Sequence, residues 1–149
     1  MPYWDWSLES QGWQNSIIWN DTCGFGGNGD QGTNSLLVTT GPFSWQMWTQ
    51  PNGYPLTRNF NNVFPDCAAV ALAQRIDVSQ FFTWNIQILG NFHNSVHCDI
   101  GGTMCTADSA NDPIFFLHHG FIDKLWSDWQ NNGMDYKNLA FFSMNNDSM

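Results

Sequence analysis

Residues 111–130 read "NDPIFFLHHGFIDKLWSDWQ". Two histidines, His118 and His119, stand side by side in an apolar run. The whole chain has only two more, His93 and His97. Asn111 or Asp112 suits the cap of a helix, and Pro113 suits its first position. Gly133 suits the stop. The stretch therefore predicts a helix from residue 111 or 112 to about Asn132. At 100° per residue, Ile114, Phe115, His118, His119, Phe121, Ile122, Leu125, Trp126 and Trp129 share one broad arc. Asp123, Lys124, Ser127 and Asp128 share the other. Phe116 and Leu117 fall outside the apolar arc, so packing partners are expected on more than one side.

Upstream, "HNSVH" puts His93 and His97 four apart. On a helix both project from one face, one turn apart, and two imidazoles can reach one ion. A third ring is expected from the 118–119 pair. Neighbouring helical residues point about 100° apart, so only one of the two joins the same ion. Spacing does not choose between them. The other should be a core histidine held by hydrogen bonds. Asp123, one turn beyond His119, is a candidate to orient it. Three neutral imidazoles suit zinc, copper, iron or nickel. No glutamate follows Glu9, so a two-histidine-plus-glutamate zinc hydrolase site is excluded there.

Further out, residues 66–90 read as helical. Asp66 or Pro65 opens "CAAVALAQRI", and Asp77 or Ser79 opens a second piece through "FFTWNIQIL" that ends at Gly90. A short helix follows from Asn91 to about Cys98, stopped by Gly101-Gly102. Residues 1–66 are dense in turn formers, as in "GFGGNGDQGTN" at 24–34 and "QPNGYP" at 50–55. Segments 16–19 and 35–39 are expected as short strands. Gly24, Gly26 and Gly29 spell G-x-G-x-x-G without the strand, helix or acid that a dinucleotide site needs, so this is a loop. Trp4, Trp6, Trp126 and Trp129 are expected in the core rather than as sugar-stacking platforms.

Composition narrows the function classes. The net charge is −9 with four cationic side chains, which argues against a nucleic-acid partner and an anionic membrane surface. No run of 18 apolar residues exists, so no membrane span is expected. "MPYWDWSLES" lacks the pattern of a secretory signal. Four cysteines allow two disulfides. With sequons at Asn20 and Asn146, they point to an oxidising compartment.

The stretch 92–130, "FHNSVHCDIGGTMCTADSANDPIFFLHHGFIDKLWSDWQ", resembles the copper-B half of a tyrosinase, in the type-3 copper family. HN-x-x-H, the GG-x-M turn, DPIFFLHH and the aspartate before Leu-Trp all match, with 21 residues between His97 and His119. "PYWDW" at 2–6 and "GPF" at 41–43 resemble the segment between the two copper motifs. The resemblance implies His93, His97 and His119 as copper ligands, with His118 as a buried neighbour. It implies that Asn94 helps to activate a water for phenol deprotonation, and places Thr106 near the substrate gate. The implied fold is mainly α, with long irregular loops and a few short strands. It is part of a type-3 copper four-helix bundle, the copper-B helix pair. Residues 1–149 would be one partial domain: a loop-rich segment 1–66, copper-B helices 67–132 and a tail 133–149.

The implied cofactor is copper, and the implied partners are phenolic or catecholic small molecules with dioxygen. The implied reaction is oxidation to quinones, and the parent protein is expected to be secreted or to lie in an organelle lumen. Family members use six histidines for two coppers, and four are present here. The copper-A ligands are therefore expected to be missing, and the chain alone to be inactive. Its uncovered bundle face is expected to favour a homodimer. The alternatives are a non-catalytic module with one copper or none, and an oxygen carrier resembling molluscan haemocyanin, which also needs two coppers. Gln87 is the nearest analogue of the glutamate that the family places before HN-x-x-H. An amide does not accept a proton as a carboxylate does, which argues against monophenol hydroxylation. Cys98 and Cys105 could pair across the Gly101-Gly102 turn, or remain two thiols.

Overall fold

In the computed structural model, residues 1–137 are described. Most of the 133–149 tail, with the Asn146 sequon, lies outside them. Helices α1 (Cys67–Gln74), α2 (Phe81–Ile86), α3 (Ser95–Ile100) and α4 (Ile114–Gln130) carry the regular structure. Asp66 caps α1 by accepting from Ala69 N at 2.8 Å. Asp112 accepts from Ile114 N at 3.2 Å, so the expected start of α4 holds to within a residue or two.

The boundary expected at Gly90 is absent. Residues 87–94 form a π-helix that joins α2 to α3 in one rod. The reason lies in the residues that face the core. Trp84, Ile88, Phe92, Val96 and Ile100 are all buried and recur every four positions. In an ordinary α-helix each such step overshoots a full turn by about 40°, so the stripe would wind off the core. The wider π turn carries more residues per revolution and keeps the stripe facing inward. Gly90 is exposed within this turn, so it has no terminating role.

The rod packs against α4. Trp84 stacks on Trp129 with ring centroids 4.3 Å apart, and Trp126 meets Trp84 edge-on at 4.9 Å. Gln74 of α1 donates to the Leu125 carbonyl at 2.8 Å, and the Trp129 indole donates to Ile76 O at 2.9 Å. Trp4, Trp6 and Trp129 are buried as expected, while Trp126 is half-buried against the core. Phe116 departs from expectation. It is 60% exposed, with its ring edge-on to the neighbouring Phe115.

Residues 1–66 lack regular strands. The expected strand at 16–19 is a 3-10 turn, Ile17–Trp19, because Ser16 accepts from Ile18 N and starts helical winding. The expected strand at 35–39 contributes one antiparallel bridge, Leu37 to Thr57. Side chains give this segment its order. Trp13 stacks on Phe64 at 4.0 Å, and the Trp19 indole donates to Trp13 O at 2.9 Å. Arg58 and Asp112 are both fully buried and form a bidentate pair, with two contacts of 2.8 Å. The remaining guanidinium nitrogen, Nη1, donates to the carbonyls of Phe25, Gly26 and Gly27. This pair ties the glycine-rich loop to the start of α4. Only one disulfide forms among the described residues, Cys98–Cys105, while Cys23 and Cys67 are exposed thiols.

Candidate metal centre

The rod and α4 bring all four histidines together. His93 ends the π turn, His97 sits one turn on in α3, and His118 and His119 lie in the first half of α4. The Nε2 atom of His119 lies 3.2 Å from His93 Nε2 and 3.0 Å from His97 Nε2. Two nitrogens bound to one ion at about 2.0–2.1 Å, near the tetrahedral angle, would lie about 3.3–3.4 Å apart. A second trio, His93, His97 and His118, also places ring nitrogens within 4.8 Å of one another. Proximity alone therefore leaves two candidate sets.

The hydrogen bonds separate them. Trp6 Nε1, which can only donate, points at His118 Nδ1 at 3.1 Å. That nitrogen must be unprotonated, so His118 carries its proton on Nε2 and donates it to the His93 carbonyl at 3.2 Å. Both of its ring nitrogens are committed. His97 is set the opposite way: its Nδ1–H donates to the Met104 carbonyl at 2.8 Å, which leaves Nε2 as a bare lone pair. His93 Nδ1 donates to Asn94 Oδ1 at 2.8 Å, and its Nε2 is likewise bare. Two lone pairs thus face His119 Nε2, which must hold the one proton between them. A cation fits where that proton sits. A cation held there would meet three nitrogen donors, two of them already in the tautomer a ligand needs.

Electrostatics agree with this chemistry. Burial pushes the His97 imidazole below its ordinary pKa, against the raising effect of its bond to Met104. Burial, then the neighbouring His93 and His97 rings, push His119 down to about 4. Burial holds His118 well below the ordinary value. Near neutral pH the His97 and His119 rings are uncharged, as a metal ligand must be, and so is the hydrogen-bonded His118.

The centre opens into a cavity of about 410 Å³ lined by His93, Asn94, His97, Thr106, Phe115 and His119, with both disulfide cysteines on its wall. Phe115 stacks on His119 at 3.8 Å. Gln87 is not among the lining residues; it faces a separate hollow beside α1 and accepts from Asn91. Asp123 is exposed and makes no hydrogen bond to His119, so it does not orient that ring. Sequence reasoning missed Trp6 as the partner that fixes His118 and Met104 as the partner that fixes His97. The first contact spans 112 residues and leaves no local trace.

Imidazoles converging from two packed helical segments form a histidine cluster that could hold a metal ion, in an α-helical scaffold. A family model described as the common central domain of tyrosinase matches residues 1–132, and the chain belongs to the tyrosinase family. The tyrosinase of Streptomyces lincolnensis is 34% identical over 87% of this chain and 53% of its own length. A tyrosinase-like protein of Diaporthe leptostromiformis is 32% identical over 87% of this chain and 37% of its own. The tyrosinase of Streptomyces antibioticus is 32% identical over 87% and 53%. The chain thus spans about half or less of these relatives. Among the described residues no helix is long and apolar enough to cross a membrane.

Proposed function

We propose that His93, His97 and His119 hold one copper ion through Nε2, and that the chain is the copper-B half of a phenol-oxidising centre. The observation that carries this reading is the convergence of three Nε2 atoms, with that of His119 3.2 Å from His93 and 3.0 Å from His97. A copper ion held by these rings would supply one-electron redox chemistry and Lewis acidity. The chain's own residues do the rest. Met104 O and Asn94 Oδ1 fix two ring orientations. Phe115 backs the third ring and gives the cavity an apolar wall that suits a phenol or catechol. Asn94 positions His93, and its role in activating water follows the family resemblance. Thr106 lies on the same wall, as a gate residue would.

The sequence has four histidines, of which His118 is structural in this reading. A paired centre with dioxygen then needs imidazoles from outside this set, and the chain alone should not turn over catechol. The same count favours a second reading, a non-catalytic binding module with one copper or none. Phe82, Ile86, Leu89 and Phe116 are exposed, as a face that pairs with another polypeptide would be, and a homodimer is one such pairing. The Cys98–Cys105 disulfide supports a secreted or lumenal parent protein.

Copper titration with a catechol oxidation assay tests these readings. One copper per chain is expected, lost in His119→Ala and retained in His118→Gln, with no turnover. Absence of copper binding overturns the metal reading. Turnover with two coppers per dimer overturns the half-site reading and supports the homodimer.

A further inference from the structure

We propose that the Cys98–Cys105 disulfide is a positioning clamp for the His97 imidazole, so that the tautomer and metal affinity of this ring depend on an oxidised disulfide. The affinity half of the proposal rests on the copper reading above; the tautomer half does not.

The argument begins with spacing. The hydrogen bond from His97 Nδ1 to Met104 O spans seven residues. The disulfide also spans seven residues, one position further along the chain at each end. The covalent link therefore runs alongside the hydrogen bond and joins the neighbours of donor and acceptor. Without the link, this acceptor is a main-chain carbonyl in a short 3-10 turn, Gly102–Cys105. The turn is reached through Gly101 and Gly102, with φ of 70° and 55°. Two consecutive glycines at positive φ form this hinge, packed on one side against the Thr57 and Asn59 carbonyls, where an added Cβ would meet oxygen at 2.3–2.5 Å. Backbone bonds from Asn59 N to Ile100 O and from Thr103 N to Thr57 O hold the hinge on its outer side. On the cavity side, where the Met104 carbonyl must stay on the ring, the disulfide ties the turn to α3. Both cysteines are exposed and line the histidine cavity, so the bond is open to a soluble reductant.

The consequence concerns the ring, not the fold as a whole. With the clamp closed, His97 keeps its proton on Nδ1 and presents Nε2 bare. With the clamp open, no covalent link holds the Met104 carbonyl against the ring, that hydrogen bond loosens and the two tautomers mix, while the buried Met104 side chain and the Thr103–Thr57 bond keep the turn in place. Losing a partner that orients a metal ligand typically weakens metal binding by about 10–100-fold.

The test uses the full chain with Cys23→Ser and Cys67→Ser in both arms, so that exposed thiols neither exchange nor bind the probe. The comparison adds Cys98→Ser and Cys105→Ser. In metal-free protein, nitrogen NMR of the His97 ring should show a single Nδ1–H form with the disulfide and a mixture without it. Titration with cupric ion should give a dissociation constant at least about 10-fold weaker without the disulfide. Near-ultraviolet circular dichroism of the tryptophan core should be unchanged. A folded variant with an unaltered His97 tautomer overturns the proposal. So does collapse of the tryptophan core, because the disulfide would then staple the whole fold rather than position one ring. If the disulfide-bonded arm binds no cupric ion, the metal reading fails and the tautomer result decides the clamp by itself.

Discussion

Residues 1–66 and residues 67–130 are ordered by different means. The second region is held by helical hydrogen bonding and an apolar stripe repeated every four residues from Trp84 to Ile100. The first has one isolated bridge and a few 3-10 turns, yet Trp6, Trp13, Leu56 and Arg58 within it are almost fully buried. Its order comes from indole rings and one guanidinium reaching across to the helices. The site depends on both regions: the helices present the imidazoles, while the irregular segment decides the proton position on His118. An irregular backbone can therefore be as determinate as a helix when most of its buried polar side chains find partners, as Arg58, Trp6 and Trp19 do and the Trp4 and Trp48 indoles do not.

The sharpest way to break this contrast is Arg58→Met. It leaves Asp112 buried without its counter-ion, and the expected loss is about 3–5 kcal/mol of unfolding free energy, measured by urea denaturation. A loss near zero would show that the loop segment does not depend on this pair. Trp6→Phe keeps most of the apolar contact and removes one donor. The expected cost is about 1–3 kcal/mol, with loss of the fixed Nε2–H tautomer of His118 in nitrogen NMR.

The pH profile sharpens the comparison on the helical side. In metal-free protein, His97, His118 and His119 titrate below the ordinary imidazole value of about 6.5, His119 at about 4. Between those pH values the unfolded chain binds more protons than the folded one, so stability falls as pH falls through this window. Above about pH 6.5 the contribution is complete. Urea midpoints measured from pH 7.5 to 4.5 should show the decline, and His119→Gln should flatten it. A wild-type midpoint constant across that range would contradict the assignment. The smallest effect is expected from Asp66→Ala, about 1 kcal/mol, because it unmakes one cap on α1 and touches neither the loop segment nor the histidines.

These cases also show what the sequence made legible. Local signals were readable: Asp66 and Asp112 as caps, Pro113 at the head of α4, and the four-residue spacing of His93 and His97. Each depends on residues within one or two turns of one another. The Arg58–Asp112 and Trp6–His118 contacts span 54 and 112 residues, and no window of sequence contains both partners. The two short apolar segments at 16–19 and 35–39 read as strands because runs that brief do not separate extended from 3-10 winding. The continuity through Gly90 was different in kind. Its signal is the four-residue recurrence of apolar side chains from Trp84 to Ile100, which a glycine near a helix end conceals, because glycine there ordinarily marks a stop.

The π-helix over Gln87–Asn94 works as a phase adjuster between two halves of one rod. Upstream, the angular setting is dictated by where Trp84 must stack; downstream, by where His93 and His97 must aim. Inserting one further residue between Gln87 and Phe92, where the wide turn already holds its extra residue, would turn the two halves by about 100° relative to each other. Either the tryptophan would leave its stack or the imidazoles would leave their meeting point. The number of residues in this short interval thus sets the register between the tryptophan stack and the imidazoles.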